Sequence, residues 1–226
     1  MSDNTQPDWE RLLLAAGRLQ RILPGAVLVG GTASAMHARH RFSNDADHVL
    51  TDLRSRFDQV LAELESVAGW KTARVNRPVL ILGSLDGIET GVRQLIRTSP
   101  LETTKVTVQD EVITLPTPAE ILRIKGILIL KRNATRDYLD FVALAANMGD
   151  AEVVVALKTL DALYPQPNGE SPTLQLVIQL ANPLPFDLSE EGLAEYRNLI
   201  APWQNWQAVA EACIHLSMVI FDRVID

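Results

Sequence analysis

Hydrophobic and polar positions along the chain change period part-way through. Residues 8–22, "DWERLLLAAGRLQRI", repeat their apolar positions with a helical period and place Asp8 and Glu10 in the first turn, where a helix favours anions. Pro24-Gly25 ends that helix, and "AVLV" reads as a short buried strand running into Gly30-Gly31. The small-residue run "TASAMHARH" predicts a helix packed closely on a sheet, and "DADHVLT" alternates as a second strand. "RSRFDQVLAELESVAGW" is an amphipathic helix stopped by Gly69. Strand-like runs follow at 78–83, 87–96, 104–109 and 111–115, broken by Asp86-Gly87 and Pro100. From Thr117 the period is helical almost throughout: 117–131, 134–148, 150–164, 172–181, 188–199 and 203–225. A mixed sheet with flanking helices over 1–116, followed by a helical domain over 117–226, makes an α+β protein. "YPQPNGESP", 164–172, has the composition of a linker.

Composition narrows the class only a little. With 47% hydrophobic and 22% charged residues, the chain is ordinary for a globular protein. No apolar run is long enough to span a bilayer, and "MSDNTQPDWERLL" has neither a basic segment nor an apolar signal core. The single cysteine, Cys213, excludes an internal disulfide and fits a reducing cytoplasm; its apolar helical setting makes it a buried structural thiol. The net charge of −7 is unevenly spread. Residues 1–149 hold 18 basic and 17 acidic side chains, residues 150–226 hold 3 and 11. Within 71–105 the bases lead, through Lys71, Arg74, Arg77, Arg93, Arg97 and Lys105, which marks a surface for a polyanion.

The stretch "LVGGTASAMHARHRFSNDADHVL" carries the chemistry. Asp45 and Asp47 are two apart on a strand and so project to one side. Two such carboxylates repel unless a cation or proton lies between them, and oxygen-only ligands at this spacing suit Mg²⁺. A glycine turn leading into a helix N-terminus suits phosphates. An Asp-x-Asp or a Gly-Gly alone carries little information. The order strand, Gly-Gly-Thr, helix, Arg-x-Ser-x-Asp-x-Asp, strand carries more, because it brings turn and carboxylates to one edge of a sheet.

"GGTASAMHARHRFSNDAD" resembles the signature of the DNA polymerase β-like nucleotidyltransferases, and within them the AbiEii-type toxin group. "PTPAEILRIKGILILKRNATRDYLDFVALA", 116–145, is similar to that group's later motif: a helical lysine, an arginine, then a basic-Asp-x-x-Asp turn. The resemblance covers roughly residues 25–145. It implies that Gly30, Gly31 and Thr32 cradle the phosphates of a nucleoside triphosphate. Asp45 and Asp47 would bind Mg²⁺ or Mn²⁺, with Ser43 steadying their loop. Lys125 would neutralise the triphosphate, and Arg132, Arg136, Asp137 and Asp140 would line its nucleotide side. Glu89 is the first choice for the third carboxylate that such enzymes carry, joining Asp45 and Asp47 at the metal and helping to activate the hydroxyl; Asp86, in a hairpin-like Asp-Gly, is the second. Two departures stand out: Thr90 and Gly91 follow Glu89 where apolar residues are usual, and Ala46 is small.

The implied activity is transfer of a nucleoside monophosphate to an acceptor hydroxyl on RNA, such as a tRNA end, or on protein. A cytoplasmic toxin with an antitoxin partner and an RNA acceptor at 71–105 is expected. The alternatives are a small-molecule, antibiotic-type nucleotidyltransferase and a non-catalytic nucleotide-binding relative. A buried lysine needs an anionic partner, so Lys125 in "ILRIKGILIL" calls for a phosphate or a carboxylate. Residues 132–140 also read as a helix start with its own ion pairs. His37 and His40 lack a third metal ligand, His48 points away from the acidic pair, and Trp203 and Trp206 read as core anchors.

Overall fold

A computed structural model describes residues 8–189 and 192–225. Residues 1–7, which open the stretch read as lacking a signal segment, lie outside them, as do Glu190 and Glu191 of the expected helix 188–199, and Asp226. The described residues form two compact units. One holds those up to Ala33 with Ser43–Pro116; the other holds Ser34–Phe42 with those from Thr117 onward. No helix among the described residues is long and apolar enough to cross a membrane.

In the first unit, α1 (Trp9–Ile22) precedes β1 (Val27–Leu28) and α2 (Gly30–Ala38), whose first turn lies here and whose remainder belongs to the second unit. There follow β2 (Asp45–Leu50), α3 (Phe57–Glu65), β3 (Trp70–Asn76), β4 (Leu80–Leu85), β5 (Ile88–Gln94), β6 (Thr103–Val108) and β7 (Glu111–Pro116). The main sheet has the order β1-β2-β5-β4-β3, with β2 and β5 parallel and the other neighbours antiparallel. β6 and β7 form a separate hairpin. The Gln20 side chain of α1 bonds both backbone groups of Thr114 in β7, at 2.7 Å each.

Alternation decides which side of the sheet is core. Leu50, Ile81, Leu85 and Val92 point to one face and pack with Leu19 and Leu23 of α1 and Phe57, Val60 and Leu64 of α3. The residues between them, Asp45, Asp47 and Glu89 included, point to the other face. His48 is on the core face and fully buried; desolvation pushes its pKa down to about 4, although backbone groups of Ala46 and Ala16 oppose the shift, so it is neutral at pH 7. Asp86 and Gly87 both have positive φ, 54° and 81°, and form the two-residue turn between β4 and β5. β3 was absent from the hydrophobic pattern: Lys71 through Asn76 are all exposed, and backbone pairing to β4 alone, with an irregularity between Thr72 and Arg74, makes the strand.

The second unit is helical: α4 (Pro118–Arg132), α5 (Thr135–Met148), α6 (Asp150–Leu157), α7 (Leu160–Leu163), α8 (Pro172–Ala181), α9 (Trp206–Ile220) and a π-helical turn Phe221–Ile225. Thr117 caps α4 by accepting from Glu120 N at 3.2 Å, with Pro118 in the first turn, and Asn133 ends the helix in the left-handed region. The segment 164–172 joins α7 to α8 inside this unit.

Helix 188–199 is not formed in its described residues. Phe42 N donates to Arg197 O and Ile200 N to His40 O, and Asn198 has a φ of 53°. Backbone pairing with residues 40–42 overrides helical propensity there. Trp206, expected as a core anchor, is half-buried and packs edge-on to Tyr138, centroids 5.9 Å apart.

Candidate functional site

The sequence residues assigned to chemistry fall into two clusters, each inside one unit. In the first unit the parallel register sets Asp45 beside Glu89 and Asp47 beside Gly91, so three carboxylates rise from one sheet face. Asp45 and Asp47 are half-buried and Glu89 is exposed. Ser43 Oγ donates to Asp45 Oδ1 at 2.9 Å, which fixes the first carboxylate in direction. Thr32 is fully buried and its Oγ donates to Asp45 O at 2.5 Å. Its hydroxyl therefore ties the first turn of α2 to β2, and any cradling of phosphate falls to the backbone of Gly30 and Gly31. Gly30 has a φ of 76°, and a Cβ on it would come within 3.7 Å of Asp47 Cβ. The helix start and the second carboxylate are adjacent, as the order of the motif implied.

The departures around Glu89 have a physical explanation. A Cβ on Gly91 would meet Leu82 Cδ2 at 2.5 Å, Ile81 O at 3.1 Å and Asp47 Oδ1 at 3.3 Å, so a larger residue there would crowd β4 first and the carboxylate slightly. Thr90 faces the core side and its Oγ donates to Ala46 O at 2.5 Å, locking the two strands in register. Asp86 is elsewhere: it is the hairpin turn residue and pairs with Arg18, so Glu89 is the acidic neighbour of the pair.

Among the described residues no group of three or more His, Cys, Asp or Glu side chains is arranged to hold a metal ion. The donor set nonetheless suits Mg²⁺. That ion keeps several waters and takes one or two carboxylates, its remaining ligands coming from substrate phosphates. Asp45 and Asp47 are such a pair.

The second unit gathers the later motif into a buried ion network. Asp140 is fully buried and accepts from Arg41 Nε at 2.8 Å and Nη2 at 3.1 Å; His40 Nε2 lies 2.7 Å away and Lys125 Nζ 2.6 Å away. Asp137, also fully buried, accepts from Arg132 at 2.5 and 2.7 Å and lies 3.3 Å from Lys125 Nζ. Burial alone would raise the Asp140 pKa; Arg41, then Lys125, then His40 outweigh it and hold the carboxyl well below its usual range.

Lys125 is 1% exposed and its ammonium meets two carboxylates. Asp137 and Asp140 present no accessible oxygen. Of the residues expected on the nucleotide side, Arg136 is exposed and Arg132 is half-buried against Asp137. The sequence reading missed His40 and Arg41 as members of this network. Their signal was present, since two basic residues precede the acidic pair, but only the fold pairs them with a residue about a hundred positions on.

A family model described as "Nucleotidyl transferase AbiEii toxin, Type IV TA system" matches residues 12–217. The chain belongs to the AbiEii nucleotidyltransferase toxin family. A Helicobacter pylori structure classed as a nucleotidyltransferase superposes on this AbiEii-family chain with a TM-score of 0.53 at 14% identity, covering 99% of this chain and 97% of that one. ANT(2″)-Ia in complex with adenylyl-2″-tobramycin gives a TM-score of 0.50 at 11% identity, covering 68% and 97%. At these identities the likeness is one of fold. Among curated proteins, the heme uptake protein MmpL11 of Mycobacterium tuberculosis is 32% identical over 130 residues, and a mycolic acid-containing lipids exporter of Mycolicibacterium smegmatis is 31% identical over 135. Each match takes in 56% of the AbiEii-family chain and only 13% of the relative.

Proposed function

We propose that this nucleotidyltransferase uses Asp45 and Asp47 to hold Mg²⁺, the backbone of Gly30 and Gly31 to receive the triphosphate, and Glu89 to orient and deprotonate an acceptor hydroxyl. The observation that carries the reading is the register of β2 against β5, which sets Glu89 beside Asp45 on the face that also bears Asp47. In the reaction an acceptor oxygen forms a bond to the α-phosphorus, the bond to the bridging oxygen breaks, pyrophosphate leaves, and the hydroxyl proton passes to Glu89. Mg²⁺, when bound, supplies neutralisation of phosphate charge. Ser43 and Thr32 hold the Asp45 segment in place. The buried network of Asp137, Asp140, Lys125, Arg132, Arg41 and His40 stiffens the helical unit.

The acceptor in this reading is RNA. The acidic face continues across the sheet in two rows: Asp45, Glu89, Ser84, Lys71 and Asp47, Gly91, Leu82, Arg74. Lys71 and Arg74 are exposed on the outermost strand, three strand spacings or about 14 Å from the strand of Asp45 and Asp47. A polyanion laid across this face would meet bases at its far edge. An antitoxin would be the protein partner, as the family's description as a toxin suggests. The second reading, a small aminoglycoside-like acceptor, draws on the fold likeness to ANT(2″)-Ia.

Incubation with each α-labelled triphosphate, Mg²⁺ and either total RNA or an aminoglycoside separates these readings. Label is expected on RNA, and the transfer should weaken steeply with salt, with a shallower slope in a Lys71→Ala, Arg74→Ala variant. Label on the aminoglycoside alone would replace the RNA reading, and no label on any acceptor would overturn catalysis.

A further inference from the structure

One charged residue on the acidic face has no part in the reading above. Glu89, Gly91 and Arg93 alternate along β5 and therefore share the side that bears Asp45 and Asp47. Arg93 is the register partner of Val49, one step beyond Asp47, and its guanidinium turns back so that Nη2 lies 3.8 Å from Asp47 Oδ2. The two side chains are 47% and 25% exposed. The pair is thus loose and wet, unlike the buried network of the helical unit. Arg97 does not act with it, since its guanidinium bonds Ser99 O at 2.9 Å and Pro100 O at 2.7 Å.

A cation beside a carboxylate that must hold a dication competes with that dication. The same cation becomes favourable once phosphates arrive, because a guanidinium offers a planar fork of donors to phosphate oxygens. Half exposure and a single long contact leave Arg93 free to turn from one partner to the other. We propose that Arg93 is an exchangeable counter-charge: it offsets Asp47 in the nucleotide-free protein and moves to the phosphates when metal and triphosphate bind. This rests on the reading of Asp45 and Asp47 as the metal pair. It makes Arg93 a triphosphate-binding residue and lowers the affinity for metal alone, so that metal and nucleotide bind preferentially together.

The test uses binding and needs no turnover. Mn²⁺ is titrated into the nucleotide-free protein, and inorganic tripolyphosphate is titrated in the presence of Mn²⁺, for wild type, Arg93→Ala, Arg93→Lys and Asp47→Asn. Arg93→Ala is expected to bind Mn²⁺ alone about threefold more tightly, the scale of an exposed ion pair, and tripolyphosphate about tenfold or more weakly, the scale of charge-assisted hydrogen bonds. Arg93→Lys should keep the wild-type Mn²⁺ affinity and lose part of the tripolyphosphate affinity, because an ammonium cannot make the fork. Opposite signs in the alanine variant are something a merely structural residue cannot produce. Affinities that fall together, or do not move, overturn the proposal while a weakened Asp47→Asn leaves the metal pair standing. If Asp47→Asn binds Mn²⁺ as wild type does, the metal-site reading fails and the role of Arg93 fails with it.

Discussion

Asp45→Asn and Asp47→Asn are each expected to lower nucleotide transfer about a thousandfold or more, with folding intact. In the proposed site each change removes one of the two charges that would hold the dication against water, and a metal of this kind contributes several kcal/mol of transition-state stabilisation. The fold has no reason to suffer. Both side chains are half-buried on the face opposite the core, and an asparagine at 45 can still accept from Ser43 Oγ. Relief of repulsion between two neighbouring anions should leave thermal stability equal or slightly higher. Single-turnover transfer and a thermal melt on the same samples decide the matter: transfer within tenfold of wild type in either variant would remove that residue from the metal site.

Asp140→Ala should do the opposite, destabilising the helical unit by about 3–5 kcal/mol because it leaves Arg41 and Lys125 buried with one counter-ion fewer. The directional order matters more than the magnitude. Lys125→Met should cost less, since Arg41 still meets Asp140 and Arg132 still meets Asp137. Cys213 is a built-in reporter: it is fully buried and burial pushes its thiol up to about 12, so alkylation at neutral pH requires the unit to open. Labelling of Cys213 is expected to be fastest in Asp140→Ala, intermediate in Lys125→Met and slowest in wild type. Wild-type labelling in Lys125→Met, with triphosphate affinity falling more than monophosphate affinity, would return Lys125 to the nucleotide.

Much of this was readable from the chain, for reasons that differ by element. Period alone announced α1, α5 and α8, because amphipathic helices write their buried face into spacing. The acidic pair was legible because two aspartates two apart in a strand can only share a side. Glu89 was named from the sequence through the family resemblance, but its place beside Asp45 depends on a parallel pairing across some forty residues and needed the fold. β3 was invisible for the opposite reason: Lys71–Asn76 bury nothing, and an edge strand held by backbone bonds leaves no hydrophobic record. Lys125 was recognised as needing an anion, but the choice between phosphate and carboxylate lay in Asp137 and Asp140 reaching it from α5.

The return of Ser34–Phe42 to the helical unit has a consequence for how the protein can be divided. The chain passes from one unit to the other after Ala33, back at Ser43 and over again at Thr117. No single cut yields both units whole. A fragment ending at Pro116 carries His40 and Arg41 away from Asp140, and a fragment beginning at Thr117 keeps Asp140 without them. His40 and Arg41 therefore share one buried network with the later motif, and neither fragment carries that network whole.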